Sequence, residues 1–285
     1  MREKTECPIC RSKKLSLLKT IEGIHILECK KCDLGISSKT KRVELYGKKS
    51  LYNLEAYQES QTRQIKKFQY IVRIINRLGV SSILEIGGGY GLFSKILSKS
   101  KKVRIEMVEP NLYPHYAKSA RNIKHYKDSF DHFSSKTKRR YDLVVFLDVF
   151  EHLLNPRRVL KKVQGLLNTN GYILILLPNY KSLMAKICKH WSWWMIEDHK
   201  YHFSPNSMQR LLIGENFKLE YIGTYEDYYD FKKNLDGNFT SIRNPLVRKV
   251  KKGVYFSLFL PIYFAFRKIV WKFLYGGLLI VVAKK

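Results

Sequence analysis

The fold class predicted for most of this 285-residue chain is α/β, a mainly parallel sheet with helices on both faces. From Ser81 to Asn179, apolar runs of strand length alternate with segments of helical period. Two of those runs, YDLVVFL and YILILL, are almost unbroken apolar stretches, as strands covered on both faces must be. Ahead of them, two Cys-x-x-Cys pairs predict a small metal-bound module, giving boundaries of 1–45 for that module and 50–285 for the α/β domain.

Cys7, Cys10, Cys29 and Cys32 form the first module, with eighteen residues between the pairs. That spacing suits two knuckles closing a tetrahedral thiolate site, and four soft ligands favour a structural zinc with no open position. A short segment with little core of its own gains its folding energy from such an ion. HILEC alternates as a strand and KKCDLG turns back, the pattern of a zinc ribbon. The start MREKTECPIC lacks the apolar core of an export signal, so the expectation is a cytoplasmic protein with reduced thiols.

From Ser50 to Leu78 the spacing of Ile65, Phe68, Ile71, Val72, Ile75 and Leu78 predicts a helix that covers a sheet edge. After Gly79 follow SSILEIG as strand, LFSKILSKS as helix, VRIEMVEP as strand and a helix near Pro114 to Ala120. NIKHYKD and YDLVVFLDV read as strands, PRRVLKKVQGLL as helix and YILILLPN as strand. FKLEYIGTYED is a sixth strand and GGLLIVVAKK a closing seventh.

The loop GGGYG leaves the first strand and opens a helix. Gly87, Gly88, Gly89 and Gly91 permit a sharp turn and close approach of a ligand to the backbone, at the positive end of that helix. The acids around it select the ligand. Glu85 would repel a pyrophosphate but neutralise an ammonium group. Glu109 ends the second strand, where it can accept from both ribose hydroxyls. Asp128 follows the third and can meet an adenine amino group. A dehydrogenase loop would require glycine at position 92, which is Leu92. A cationic nucleoside without phosphate fits best.

ILEIGGGYG, VEP, KDSF and YDLVVFLDVFEHLLNP together resemble the successive motifs of class I S-adenosylmethionine-dependent methyltransferases, in the branch with Glu-His after the fourth strand. The resemblance covers roughly residues 60 to 225 and returns at the last strand; with the ribbon and YNLEAY it also resembles a recurrent bacterial subgroup. It implies a Rossmann-like seven-stranded sheet. It also implies an S-adenosylmethionine pocket lined by Glu85, Gly87, Gly89, Gly91, Glu109, Asp128 and Asp148.

Methyl transfer from a sulfonium is an in-line displacement, so the protein chiefly aligns the reactants, with a base to help. Glu151 and His152 lie just past the fourth strand, and a second set follows the fifth in EDHKYHFSP, with Glu197, Asp198, His199, Tyr201 and His202. Glu151, His152 and His202 are the candidate catalytic residues, either imidazole serving as base. Asp148, Glu151, His152 and His202 also resemble the acid-x-x-Glu-His plus downstream His of small-RNA 2′-O-methyltransferases and ubiquinone-pathway O-methyltransferases, which hold a divalent ion. The competing expectation is Glu-His without metal and a His202 that only orients the next helix.

WSWWM either packs on the core or floors an apolar acceptor pocket, and Cys188 reads as a small buried hydrophobe. Between about 230 and 275 lies a basic, aromatic insertion. Its apolar run Val254 to Phe266, thirteen residues with Pro261 inside, is below the ~20 needed to span a bilayer. Flanking Lys and Arg suit an anionic membrane surface on its inner face, and a helical hairpin packed on its own domain or on a second subunit is the alternative.

The net charge of +29 favours anionic partners, though a Lys-rich composition would also produce it. The leading expectation is O-methylation of a small, sugar or lipid-linked acceptor, the sugar resting on resemblance alone. The alternatives are an RNA methyltransferase, suggested by charge and ribbon but lacking the aromatic-plus-proline tetrapeptide at LPNY, and a non-catalytic S-adenosylmethionine-binding scaffold.

Overall fold

The structure is a computed structural model that describes residues 6–38, 54–100, 103–110, 115–116, 122–188, 190–196, 198–240 and 242–285. The 45/50 boundary, most of the helix expected near Pro114 to Ala120, and Glu197 lie outside the described residues.

The cysteine module contributes β1 (Leu15–Ile21), β2 (Ile24–Cys29) and β3 (Gly35–Ser37). Each Cys-x-x-Cys is followed by a residue in the left-handed region, Arg11 (φ 56°) and Asp33 (φ 55°), which turns the chain back. The four sulfurs lie within 4.8 Å of one another, with Cys7 and Cys32 3.4 Å apart and Cys10 and Cys29 3.5 Å apart. All four thiols are free of disulfides.

Two helices, α1 (Leu54–Glu59) and α2 (Gln61–Ile75), precede the α/β domain, and α2 buries Phe68, Ile71, Val72 and Ile75 as the spacing predicts. Then follow β4 (Ser82–Ile86), α3 (Leu92–Ser100), β5 (Arg104–Val108), β6 (Ile123–Tyr126), α4 (Phe130–Lys136), β7 (Tyr141–Leu147), α5 (Pro156–Leu166) and β8 (Leu167–Pro178). The remainder is α6 (Leu183–Ile187), β9 (Tyr201–His202), α7 (Pro205–Gly214), β10 (Lys218–Tyr225), α8 (Tyr228–Gly237), α9 (Pro245–Lys272) and β11 (Leu278–Lys284).

Seven strands form one sheet in the order β10-β11-β8-β7-β4-β5-β6. β4 runs parallel to β5 and β7, and β11 is antiparallel to both of its neighbours, β8 and β10. The order reverses at β4, so the carboxyl ends of β4, β5 and β7 open a crevice where a ligand can enter.

The cysteine module shares structure with the α/β domain. β3 pairs with β9 through Gly35↔His202 and Ile36↔Tyr201, making a four-stranded sheet from two distant parts of the chain. Cys7, Cys32, Leu34 and Ile36 belong to the same apolar cluster as Phe150 and Phe203. Phe203 is fully buried, its ring 5.7 Å from that of Phe150. We expect Phe203→Ala to lower stability by about 3–5 kcal/mol, measured by chemical denaturation; a loss below ~1 kcal/mol would mean that this contact does not join the two parts.

Candidate active site

The turn out of β4 shows why glycine is required there. Gly87 has φ 70°, and a Cβ on it would come within 2.4 Å of Val149 Cγ2 in the loop after β7. Gly88, expected to ease the turn and the approach of a ligand, also has a packing reason: a Cβ would meet Met107 of β5 at 2.3 Å. The bare backbone therefore lets β4, β5 and β7 close around one crevice of about 530 Å³. Gly87, Glu109, Phe130, Asp148, Val149 and His152 are among its lining residues.

Glu109 is buried at the end of β5, and its Oε2 accepts from the backbone N–H of Gly89 at 3.0 Å, so the acid and the glycine loop are one unit. Glu85 is buried inside β4, its Oε2 accepting from the Ser94 hydroxyl. Burial first, and the Glu109 charge second, push its carboxyl up to about 7. Asp128 lies beside the crevice with partners of its own. Its carboxylate meets Nδ1 of His132 at 2.7 Å and accepts from Ser129 N–H, and it does not line the crevice. The neighbouring Ser129 and Phe130 line it instead. The His132 imidazole, in the first turn of α4, thus pairs with an acid just ahead of the helix.

After β7 the chain turns at Asp148 in the left-handed region, φ 56°. Its Oδ2 pairs with Lys67 Nζ at 2.6 Å, while Oδ1 is buried without a hydrogen-bond partner. Lys67 was not evident as a site residue, although it lies four positions before Ile71 and so on the buried face of α2. Glu151 is buried and neither of its carboxylate oxygens has a hydrogen-bond partner. Burial, reinforced by the Asp148 charge, raises its pKa well above the ordinary carboxylate range.

Two imidazoles face this acid. Ligand atoms of Glu151, His152 and His199 all lie within 4.8 Å of one another, and His199 Nε2 is 3.9 Å from Glu151 Oε1. His152 meets the Asp198 carbonyl through Nδ1 at 3.4 Å. Burial lowers the pKa of both histidines, and for His199 the neighbouring His152 and His202 add to it. His202, expected in this cluster, lies beside it, lining one small void with Glu151 and His199 but outside the group of ligand atoms within 4.8 Å of one another. Its Nε2 meets the Ser37 hydroxyl at 3.0 Å, burial lowers its pKa to about 3, and Gly35 packs against its Cβ. The reason is the β3–β9 pairing, which turns His202 toward Ser37; the same hydroxyl donates to the His199 carbonyl at 3.1 Å. His199 thus occupies the place expected for His202.

The segment after β8 closes the site from outside. Trp191 and Trp194 are buried with Tyr180, Met184 and Cys188 against Ile24 and Ile26 of the cysteine module and Phe231 of α8. The core alternative for WSWWM holds for these two indoles, and Cys188 is buried. The same indoles edge an open cleft of about 780 Å³ that also reaches Met195 and Asp198.

A family model described as a methyltransferase domain matches residues 57–222. A ubiquinone biosynthesis O-methyltransferase of Bradyrhizobium diazoefficiens is 28% identical over 129 residues, covering 43% of this chain and 50% of that protein. The chain thus spans about half the length of that relative. One of the same name from Serratia proteamaculans is 19% identical over 191 residues, covering 61% of this chain and 79% of that protein. The crystal structure of an S-adenosylmethionine-dependent methyltransferase from Archaeoglobus fulgidus superposes with a TM-score of 0.54 at 19% identity, covering 82% of this chain and all of that one.

Glu85 makes stability depend on pH. Its folded pKa lies above its ordinary value of 4.5, so the unfolded chain releases the proton first and stability falls as pH rises from about 4.5 to about 7. Glu85→Gln removes that loss. The variant should be more stable than the parent by about 3 kcal/mol at pH 8 and equal to it near pH 4, by denaturant titration; parallel pH profiles would refute the assignment.

Proposed function

Given that the chain belongs to the class I S-adenosylmethionine-dependent methyltransferases, we propose that it transfers the methyl group to a hydroxyl oxygen of a small, sugar or lipid-linked acceptor. One observation carries this reading: Glu151 is buried with no hydrogen bond to either carboxylate oxygen, beside His152 and His199 and under the charge of Asp148. Leaving a charged carboxylate buried and unpaired is costly, so such a cluster is built to receive a proton or a cation.

Asp148, Glu151, His152 and His199 would hold a divalent ion, which when bound acidifies an acceptor hydroxyl and fixes its oxygen. Two carboxylates with two neutral imidazoles form a donor set that suits it. The lowered pKa values of the histidines keep them neutral, as metal ligands or proton acceptors must be. Glu85, Gly87, Gly89 and Glu109 hold the cofactor, with Glu85 and Glu109 offsetting its positive charge. The four cysteines hold zinc in a structural role. The open cleft beside Trp191, Trp194 and Asp198 adjoins the cluster through the Asp198 carbonyl on His152 and admits the acceptor. The two curated relatives are named for O-methylation, in line with oxygen as acceptor.

The test uses purified protein with Mg²⁺ or Mn²⁺, S-adenosylmethionine labelled at the methyl group, catechols, and fractionated lipid and carbohydrate extracts. Label should enter an alkali-stable methyl ether. Glu151→Ala and His199→Ala should each lower kcat by about a hundredfold or more with cofactor affinity unchanged. Undiminished turnover by Glu151→Ala would overturn the reading.

A further inference from the structure

Helix α9 is apolar on two opposite faces, and the domain covers only one of them. On the inner face Tyr263 is buried, its ring stacked on Phe231 at 3.8 Å and its hydroxyl donating to Glu226 Oε2 at 2.8 Å. Tyr255, Phe256, Phe259 and Phe264 pack beside it. The outer face carries Val254, Leu258, Ile262 and Phe266 at four-residue intervals, and Leu258 is 65% exposed, Ile262 59% and Phe266 54%. A helix that is apolar all round is ordinarily buried all round. Across residues 253–266, fourteen positions, there is no charged side chain.

Charge is concentrated at the two ends of this stretch. Arg248, Lys249, Lys251 and Lys252 precede it; Arg267, Lys268 and Lys272 follow. Lys252 is held by Asp236 and Arg267 lies over the Phe264 ring, which leaves five cations on exposed positions around the apolar patch.

We propose that the outer face of α9 is a docking surface for an anionic lipid bilayer, with the helix lying in the plane of the interface. The exposed apolar side chains enter the boundary between headgroups and acyl chains, and the terminal cations meet anionic headgroups. Over its 28 residues α9 is long and apolar enough, by length and composition, to cross a bilayer, but its short uncharged stretch and the topology oppose spanning. Fourteen helical residues reach about 21 Å, short of a hydrocarbon core of ~30 Å. Both ends of α9 also return to one sheet, through α8 to β10 and directly to β11 between β8 and β10, so the helix cannot leave its domain on the far side. A second copy is a poor occupant, because two chains of net charge +29 would bring their cationic helix ends together. This surface is argued independently of the acceptor.

The experiment is flotation of the full chain with vesicles of phosphatidylcholine alone and of phosphatidylcholine with phosphatidylglycerol, at low and high salt. Binding should occur only with phosphatidylglycerol and fall with salt. Leu258→Glu with Ile262→Glu should reduce binding by about tenfold or more, and because both residues are exposed its melting temperature should match the parent's. Lys249→Gln, Lys251→Gln, Lys268→Gln and Lys272→Gln together should reduce binding by about fivefold per charge and flatten the salt dependence. Equal flotation by parent and double-Glu variant overturns the proposal. So does a dimer in size-exclusion chromatography that the double-Glu variant converts to monomer while vesicle binding is unchanged, since that result assigns the face to a second copy.

Discussion

The pairing of β3 with β9 is the contact on which the rest of the molecule outside the large sheet depends. It involves two residues on each side, with no room for a Cβ at Gly35, where the nearest atom of His202 would be 2.9 Å away. Two consequences follow from so small a junction. Ser37 reaches both the His202 ring and the His199 carbonyl, so the cysteine module sets the position of a histidine in the candidate cluster. Ile24 and Ile26 meanwhile form one wall of the apolar cluster that contains Trp191, Trp194, Phe231 and Tyr263. The cysteine knuckles, the candidate site and the outer helix are therefore packed in series.

A cationic cofactor in a chain of net charge +29 raises an electrostatic problem that the fold solves locally. Glu85, Glu109 and Glu151 are all buried at or just past the carboxyl ends of β4, β5 and β7, and Lys67 is a buried cation paired with Asp148. Distant surface lysines are screened beyond about one Debye length, whereas charges within the crevice interact through a medium of lower dielectric. The local acidic sign therefore outweighs the global basic one. The same burial that makes the cleft attractive to a cation raises Glu85 and Glu151 toward their neutral forms in its absence.

What the sequence made legible follows from whether the deciding partner was near in sequence. β4, the glycine turn and α3 are specified by consecutive residues, and LFSKILSKS is α3 to the residue. The buried strands β7 and β8 announce themselves as apolar runs because both faces are covered. The choice between His199 and His202 could not be read, since the two lie three positions apart on an irregular segment and the selecting partner, Ser37, is 165 residues from His202. Asp128 shows the opposite case: its partner His132 is only four residues away, near enough in sequence for the pair to be read directly. Gly88 needed the side chain of Met107, on a strand whose register only the sheet supplies.

The extent of α9 was hidden by its composition. The uncharged run suggests a short element, but Lys and Arg are good helix formers, so the helix continues through both basic clusters to 28 residues. Pro261 ordinarily argues against a helix interior, because it removes one donor and crowds the preceding turn. Here it lies on the exposed side, where the carbonyl deprived of its partner can turn outward. Inward-facing aromatics secure the helix on both sides of that position, through Tyr255 and Phe259, stacked with ring centroids 5.2 Å apart, and through Tyr263 on Phe231. Packing against α8 thus offsets a weak point in the local helix, and the same packing leaves the opposite apolar face exposed. An exposed face of that kind carries a standing hydration cost, which burial in an interface removes without any rearrangement of the sheet.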